Sequence, residues 1–143
     1  MNISQFNPIK AAEVPRLCVI KLPNGDALVD DNGTEVGVFV KGLASKAFRK
    51  SQDSLPKIDM PDVDSEEFKK LSDGEKQDLI EKLVDRKKEI IKAVSVDIQG
   101  EVTIDDKTKV TARNLGKLFD EETWIVPQIE EFLMDLGNFS PKL

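Results

Sequence analysis

The sequence predicts an α+β fold, in which a small antiparallel β-meander at the N-terminus is followed by a mainly helical C-terminal part. Two patterns support this prediction. Between residues 16 and 41, the tight-turn motifs Asn24-Gly25 and Asn32-Gly33 separate three short runs of β-forming residues, and Asn-Gly is a strong local signal of a hairpin. After residue 64, apolar residues recur at spacings of three, four and seven, which is typical of amphipathic helices.

The length and composition favour one domain. The chain has 143 residues, which is enough for one core with a helical appendage. Hydrophobic residues make up 39% and charged residues 34% of it. This balance favours elements that project from the core and bury their apolar faces against a partner. We divide the chain into a meander with a short helix at 1–55, a linker at 56–64 and a helical region at 65–143.

The meander is predicted from strands at 16–22, 27–29 and 35–41, with the alternating valines of the last strand on one face. Three short strands are only marginally stable alone, so we expect a helix to cover that face. The segment 44–55 predicts such a helix, and Ser45 is its expected N-cap.

A long amphipathic helix is predicted at 72–95. Ser72 and Glu75 have the spacing of a capping box at its start. Its acidic residues concentrate in the first half and its basic residues in the second, which complements the helix dipole. The apolar stripe comprises Leu79, Ile80, Leu83, Val84, Ile90, Ile91 and Val94. A stripe of this length is also typical of a coiled-coil or oligomer seam, so self-association is an open alternative.

Residues 96–99 are expected to form either the end of this helix or a short strand. A hairpin and two helices are expected after them. A second hairpin is predicted at 102–110, with a coil containing one turn as the alternative, and a short helix at 111–119. The last helix covers 120–136, and Pro127 fits its first turn if the helix starts two or three residues earlier. Gly137 is expected to end this helix in the left-handed conformation.

The composition narrows the function classes. The chain contains no histidine, which excludes Ser-His and Cys-His nucleophile systems and zinc sites of the His/Cys kind. Cys18 is the single cysteine and lies in an apolar run, so we interpret it as a buried small hydrophobe. A net charge of −6 argues against nucleic-acid binding and favours a basic partner surface.

Neither a targeting segment nor a membrane span is predicted. Residues 1–10 lack a basic n-region and an apolar h-region, so we expect no signal peptide. No apolar run approaches the roughly 18–20 residues that a membrane span needs. We therefore expect a cytosolic protein.

Two acidic segments are candidate cation sites. One covers the linker and the residues after it: Asp59, Asp62, Asp64, Glu66 and Glu67. Its oxygens could bind a divalent cation, but a solvated linker with helix-capping acids is the favoured interpretation. The segment 30–33 starts like a calcium loop, yet Glu35 and Lys41 stand where that loop needs Gly and Glu, so a hairpin turn is favoured. We expect no enzymatic activity, no metal and no cofactor.

The candidate partner surface lies near the C-terminus. Trp124 is the single tryptophan, and tryptophan is enriched at interface hot spots, although a core position is the alternative. The candidate binding residues are Trp124, Ile125, Ile129, Phe132 and Phe139.

Two segments resemble the tail assembly chaperones of tailed phages. The first is DNGTEVGVFVKG at 31–42, followed by Ser45 and by FRK at 48–50. It is similar to the family's turn-and-strand stretch, which leads to a Ser and then to an aromatic–Arg pair on a helix. The second joins TARNL at 111–115 to WIVPQI at 124–129 and to a closing NF. It is similar to the family's Asn-containing helix, Pro/Gln segment and terminal Asn-Phe.

The resemblance implies a protein made in the host cytoplasm of an infected bacterium. There it would bind the long tape-measure protein and keep its helices from aggregating before tail-tube subunits polymerise, by groove or helix–helix binding. A structural virion component, such as a minor tail or head-completion protein retained in the particle, is the alternative. A small enzyme or metal-binding module ranks behind both. Homo-oligomer formation stays open, and no nucleic-acid or membrane partner is expected.

Overall fold

The computed structural model describes residues 1–59 and 61–140 and confirms the predicted α+β fold class, with a three-stranded antiparallel sheet and a mostly helical C-terminal region. The helices and strands are, in chain order, α1 (Pro8–Glu13), β1 (Arg16–Val19), β2 (Gly37–Val40), α2 (Lys46–Ser54), α3 (Glu66–Lys70), α4 (Asp73–Val94), β3 (Ser95–Gln99), β4 (Thr103–Ile104), β5 (Thr108–Lys109), α5 (Leu115–Glu121) and α6 (Val126–Met134). Short 3₁₀ turns cover Ile3–Phe6, Thr123–Ile125 and Leu136–Phe139.

The main sheet has the order β1-β2-β3, and both strand pairs are antiparallel. Its third strand differs from the prediction. The segment 27–29 makes only isolated bridges, because Leu28 is inserted between Ile20 and Val36 at the end where β1 and β2 separate. The third strand instead follows directly after α4, and β3 pairs with β2 across a bulge.

The core lies between one face of this sheet and the helices. Val38 and Val40 at the centre of β2 are fully buried, because alternate residues of a strand point to the same face. The chief helical residues that cover them are Ile91, Val94, Leu118, Phe119, Ile129 and Leu133. Three helical segments therefore cover the sheet where one helix was expected: the end of α4, α5 and α6.

The register of β1 on β2 depends on one close approach. A Cβ on Gly37 would lie 2.7 Å from the Leu17 Cδ1 atom and 2.7 Å from the Cys18 carbonyl oxygen. No side chain fits at that distance, so glycine is required where the two strands pass.

The N-terminal half of α4 projects beyond the core. Ser72 caps the helix as predicted and accepts a hydrogen bond from the Glu75 N–H. Ile91 is 2% exposed, whereas Ile80, three turns earlier on the same face of the helix, is 45% exposed. The Arg86 guanidinium, in the second half of α4, donates to the Gln52 carbonyl and so links the helix to α2. Within the described part of the chain, no helix is both long and apolar enough to cross a membrane.

Ion pairs attach α5 and α6 to α4. The Asp120 carboxylate accepts hydrogen bonds from Lys92 at 2.8 Å and from Lys88 at 3.2 Å, and Lys87 pairs with Glu130 at 3.1 Å. The Lys92 hydrogen bond is the main cause that lowers the pKa of Asp120. These pairs are partly exposed, so they align the helices more than they stabilise them.

The second hairpin is confirmed as β4 and β5. Asp105 and Asp106 form its turn with φ values of 54° and 58°, the left-handed conformation that two-residue hairpin turns need.

The boundaries of the C-terminal helices differ from the prediction. The helix expected at 111–119 begins only at Leu115, because the Asn114 side chain accepts from the Thr111 N–H at 2.6 Å and holds the preceding residues in a turn. Pro127 lies in the first turn of α6 as expected. The predicted left-handed end at Gly137 is wrong. α6 ends at Met134, the next residue Asp135 is extended, and the Asp135 carboxylate accepts from the Gly137 N–H.

Asp30 connects the second meander turn, at 30–33, to the loop after β3. Its Oδ1 atom accepts from the Asn32 and Thr34 N–H groups, and its Oδ2 atom accepts from the Glu101 N–H at 2.9 Å. This geometry confirms a hairpin turn at 30–33. The Glu101 N–H is the main cause that lowers the pKa of Asp30.

The two halves of α4 give a matched stability test. We expect Ile91→Ala to lower the free energy of unfolding by about 2–5 kcal/mol, because it leaves a cavity in the core. Ile80→Ala on the same helix should cost less than about 1 kcal/mol, since the side chain is half exposed. Urea unfolding of both variants measures the difference. Equal losses would mean that Ile80 is buried in solution, as in an oligomer.

The hydrogen bonds of Asp30 predict a pH effect. Because folding lowers the pKa of Asp30, its contribution is complete above the unfolded-state pKa of about 3.9 and is lost as the pH falls through the folded value. We expect Asp30→Asn to lower Tm at pH 7 and to flatten the fall of Tm on acidification. Thermal melts from pH 7 to pH 2 test this, with the neighbouring Asp31→Asn as the control that should leave the slope unchanged.

Candidate functional site

An open groove of about 680 Å³ runs between the outer edge of β1 and α6. One wall is the strand and the residues after it, and the other is α6 with the turns that flank it. The lining residues are Cys18, Val19, Lys21, Leu22, Pro23, Trp124, Gln128, Glu131, Phe132, Asp135 and Asn138. Two of the five predicted binding residues, Trp124 and Phe132, are among them.

The other three predicted binding residues belong to the core. Ile125, Ile129 and Phe139 are buried, because the apolar stripe of α6 is what covers the sheet. Phe139 still contributes indirectly, since its ring packs edge-on against Phe132 at a centroid distance of 5.6 Å. The surface available to a partner is therefore smaller than predicted and is centred on Trp124 and Phe132.

Trp124 stands at the rim of the groove. Its side chain is 44% exposed, and the indole Nε1 donates to the Glu122 carboxylate at 2.8 Å. The hydrogen bond fixes the ring while one face stays accessible. A large apolar surface that is already oriented binds a partner at little entropic cost.

Gln128 links the two walls of the groove. Its side-chain oxygen accepts from the Lys21 N–H at 2.7 Å, and its side-chain nitrogen donates to the Lys21 carbonyl at 2.9 Å. This is the pairing that the backbone of a neighbouring strand offers. Sequence reasoning missed this role, because a glutamine on the polar side of a helix carries no signal of a distant strand.

Cys18 lies at the bottom of the groove and is buried, as predicted. Burial raises the pKa of its thiol to about 11, although nearby Lys21 acts in the opposite direction. The thiol is therefore protonated at neutral pH and is a poor nucleophile. Its place against the Gln128 carbonyl oxygen, 3.9 Å away, indicates a packing role.

The helix wall of the groove is acidic. Glu131 and Asp135 both line it, and within the described ranges neither forms an ion pair with a basic side chain. Glu130, the residue before Glu131, is instead paired with Lys87 at 3.1 Å and lies outside the groove. Two carboxylates on one wall, both without a basic partner among the described residues, favour a ligand with a basic group.

The end of the acidic linker leads into the capped start of α3. The Asp62 carbonyl accepts from the Ser65 hydroxyl at 2.6 Å, and Ser65 caps α3. Across residues 1–59 and 61–140, no group of three or more Cys, Asp or Glu side chains is arranged to hold a metal ion.

The two hydrogen bonds of Gln128 can be tested by stability. We expect Gln128→Leu to lower the free energy of unfolding by about 1–2 kcal/mol, because it leaves the Lys21 backbone without both partners. Gln77→Leu removes a glutamine of the exposed side of α4, whose side chain donates to Glu81 one turn away, and should cost less than about 0.5 kcal/mol. If urea unfolding gives equal values, water replaces the amide at Lys21.

Comparisons with protein-family models, with curated proteins and with solved structures found no match for this chain.

Proposed function

We propose that this protein is a non-enzymatic phage tail assembly chaperone that binds the tape-measure protein during tail morphogenesis. The observation that carries the proposal is the open groove with the oriented, exposed Trp124 at its rim. Binding rather than catalysis is supported by a chain without histidine and a groove whose one thiol is protonated. The phage assignment is supported by the resemblance of the segments at 31–50 and 111–139 to that family.

The projecting half of α4 supports a role in handling helices. Ile80 and Val84 are about half exposed on a helix whose later turns are buried. In solution, such a stripe is buried by a long amphipathic helix of a partner or by a second copy of the chain. In the proposed role the protein acts in the host cytoplasm, and the tail-tube protein is a further contact.

The alternative is a structural virion component that stays in the particle. The same exposed stripe on α4 favours it, because a permanent oligomer would bury these side chains. The two proposals differ in one observable, which is whether the protein remains in purified particles.

Co-expression with the neighbouring genes tests the proposal. We expect a tagged chain to capture a long helical protein and to be missing from purified particles. Presence in particles at a fixed copy number would contradict the chaperone role and support the structural component. Capture of no protein of the same gene cluster, together with absence from particles, would contradict both.

Trp124→Ala is expected to reduce that capture by at least tenfold, because a central tryptophan commonly contributes about 2 kcal/mol or more to binding. Phe132→Ala should act in the same direction, but it also removes packing against Phe139, so its Tm must be measured alongside. Met134→Ala is the matched control: it trims an exposed apolar residue of α6 that does not line the groove. Equal capture by the Trp124 and Met134 variants would exclude the groove as the binding surface.

A further inference from the structure

The outer edge of β1 carries backbone groups without a partner. Antiparallel neighbours alternate between hydrogen-bonded and non-hydrogen-bonded pairs. Ile20 donates to the Val36 carbonyl at 2.9 Å, so the alternation places Cys18 opposite Val38 in the next bonded pair. Leu17 and Val19 fall between these pairs, and their N–H and C=O groups point away from the sheet.

That edge faces the groove. Val19 and Lys21 both line it, and they occupy successive outward positions of the same strand edge. At Lys21 the outward N–H and C=O are paired with the amide of Gln128. Within residues 1–59 and 61–140, the outward groups of Val19 and Leu17 bond to neither backbone nor side chain. Along this edge, the backbone of Lys21 is therefore paired with a side-chain amide, and the backbone groups of Val19 and Leu17 have no partner within the described residues.

We propose that the groove binds an extended segment of the partner protein, which adds to the edge of β1 as a strand opposite Leu17 and Val19. This inference rests on the proposed function and deepens it, since it defines the partner's conformation at the groove. A strand supplies a donor and an acceptor at every second residue, at the spacing of the open positions. A helix uses its backbone groups internally and would leave the edge unpaired.

The walls define the side chains of this segment. Alternate residues of an added strand point to opposite sides. Those directed towards α6 meet Trp124 and Phe132 or the carboxylates Glu131 and Asp135. The occupant is therefore an extended peptide that combines apolar residues with at least one lysine or arginine, because the two carboxylates lack a basic partner in the described part of the chain.

A selection from random twelve-residue peptides displayed on yeast identifies the probe. Trp124 is the single tryptophan and the chain has no tyrosine, so its fluorescence reports occupancy of the groove directly. The best synthetic peptide is then compared with versions N-methylated at alternate amides. We expect methylation in one of the two alternating registers to weaken binding at least tenfold, because it removes the hydrogen bonds to β1 and keeps the side chains.

Val19→Pro tests the same hydrogen bonds from the protein side. Proline removes the outward N–H of Val19, and a proline is tolerated at such an edge position because the ladder to β2 does not use this N–H. We expect at least a tenfold loss of peptide affinity with a Tm close to that of the parent. Val19→Ala trims the side chain and keeps the N–H, so it should lose less than threefold.

Any of the following peptide results would overturn strand addition: no selected peptide binds at the groove, both methylated registers bind as well as the parent peptide, the bound peptide is helical by NMR, or Val19→Pro and Val19→Ala bind equally. A dimer that Val19→Pro dissociates would overturn it too, since a second copy would then occupy the edge. The methylated peptides act on the unmodified protein and remain decisive if Val19→Pro fails to fold. Co-expression separates the two proposals: capture unaffected by Val19→Pro contradicts strand addition alone, and absence of capture contradicts the chaperone role alone.

Discussion

The packing of Val38 and Val40 against α4, α5 and α6 is the contact on which the rest of this structure depends. β2 is the central strand, and its one apolar face is the floor of the core. A sheet of three short strands is only marginally stable alone, so other elements must cover its apolar face, and the helices supply most of that cover. Each helix contributes only the stripe that the sheet requires: the last turns of α4, the inner side of α5 and the apolar side of α6.

The groove lies beside the part of α6 that does not pack against the sheet. The apolar stripe of α6 is used against the sheet, so its neighbouring polar side runs along the edge of β1. Gln128 stands at this boundary and closes the strand edge at Lys21, while the next positions along β1 stay open. Fold and site are therefore coupled through one amide: the side chain that positions α6 on the strand also limits how far the open edge extends.

Local chemistry made much of this fold predictable. Ser45, Ser72 and Pro127 act where their side chains or ring geometry demand, because capping and proline placement depend on a few adjacent residues. The pairing of the third strand was not predictable in the same way, although 96–99 was expected to be a short strand or a helix end. Its pairing with β2 depends on a partner far away in the chain, and the segment 27–29 has equally good turn signals.

The candidate site shows the same division. Trp124 and Phe132 were identified from residue type, yet Ile125 and Ile129 carry the same helical spacing and are core. Spacing identifies a stripe but not which part of it faces the sheet. Gln128 could not be found, because its role arises from the proximity of α6 to β1. The halves of the α4 stripe likewise look alike in sequence and differ only in whether α5 and α6 reach them.

The position of β3 has a consequence for how the chain acquires its structure. Phe39 pairs with Asp97, and α2, α3 and α4 all lie between them along the chain. Contacts between distant residues slow folding, because a long loop must close before they form. During synthesis, the edge of β2 that pairs with β3 stays unpaired until β3 has left the ribosome, whereas α4 can form locally beforehand. Because β3 is joined directly to the end of α4, docking of the buried last turns of that helix also brings the strand next to β2.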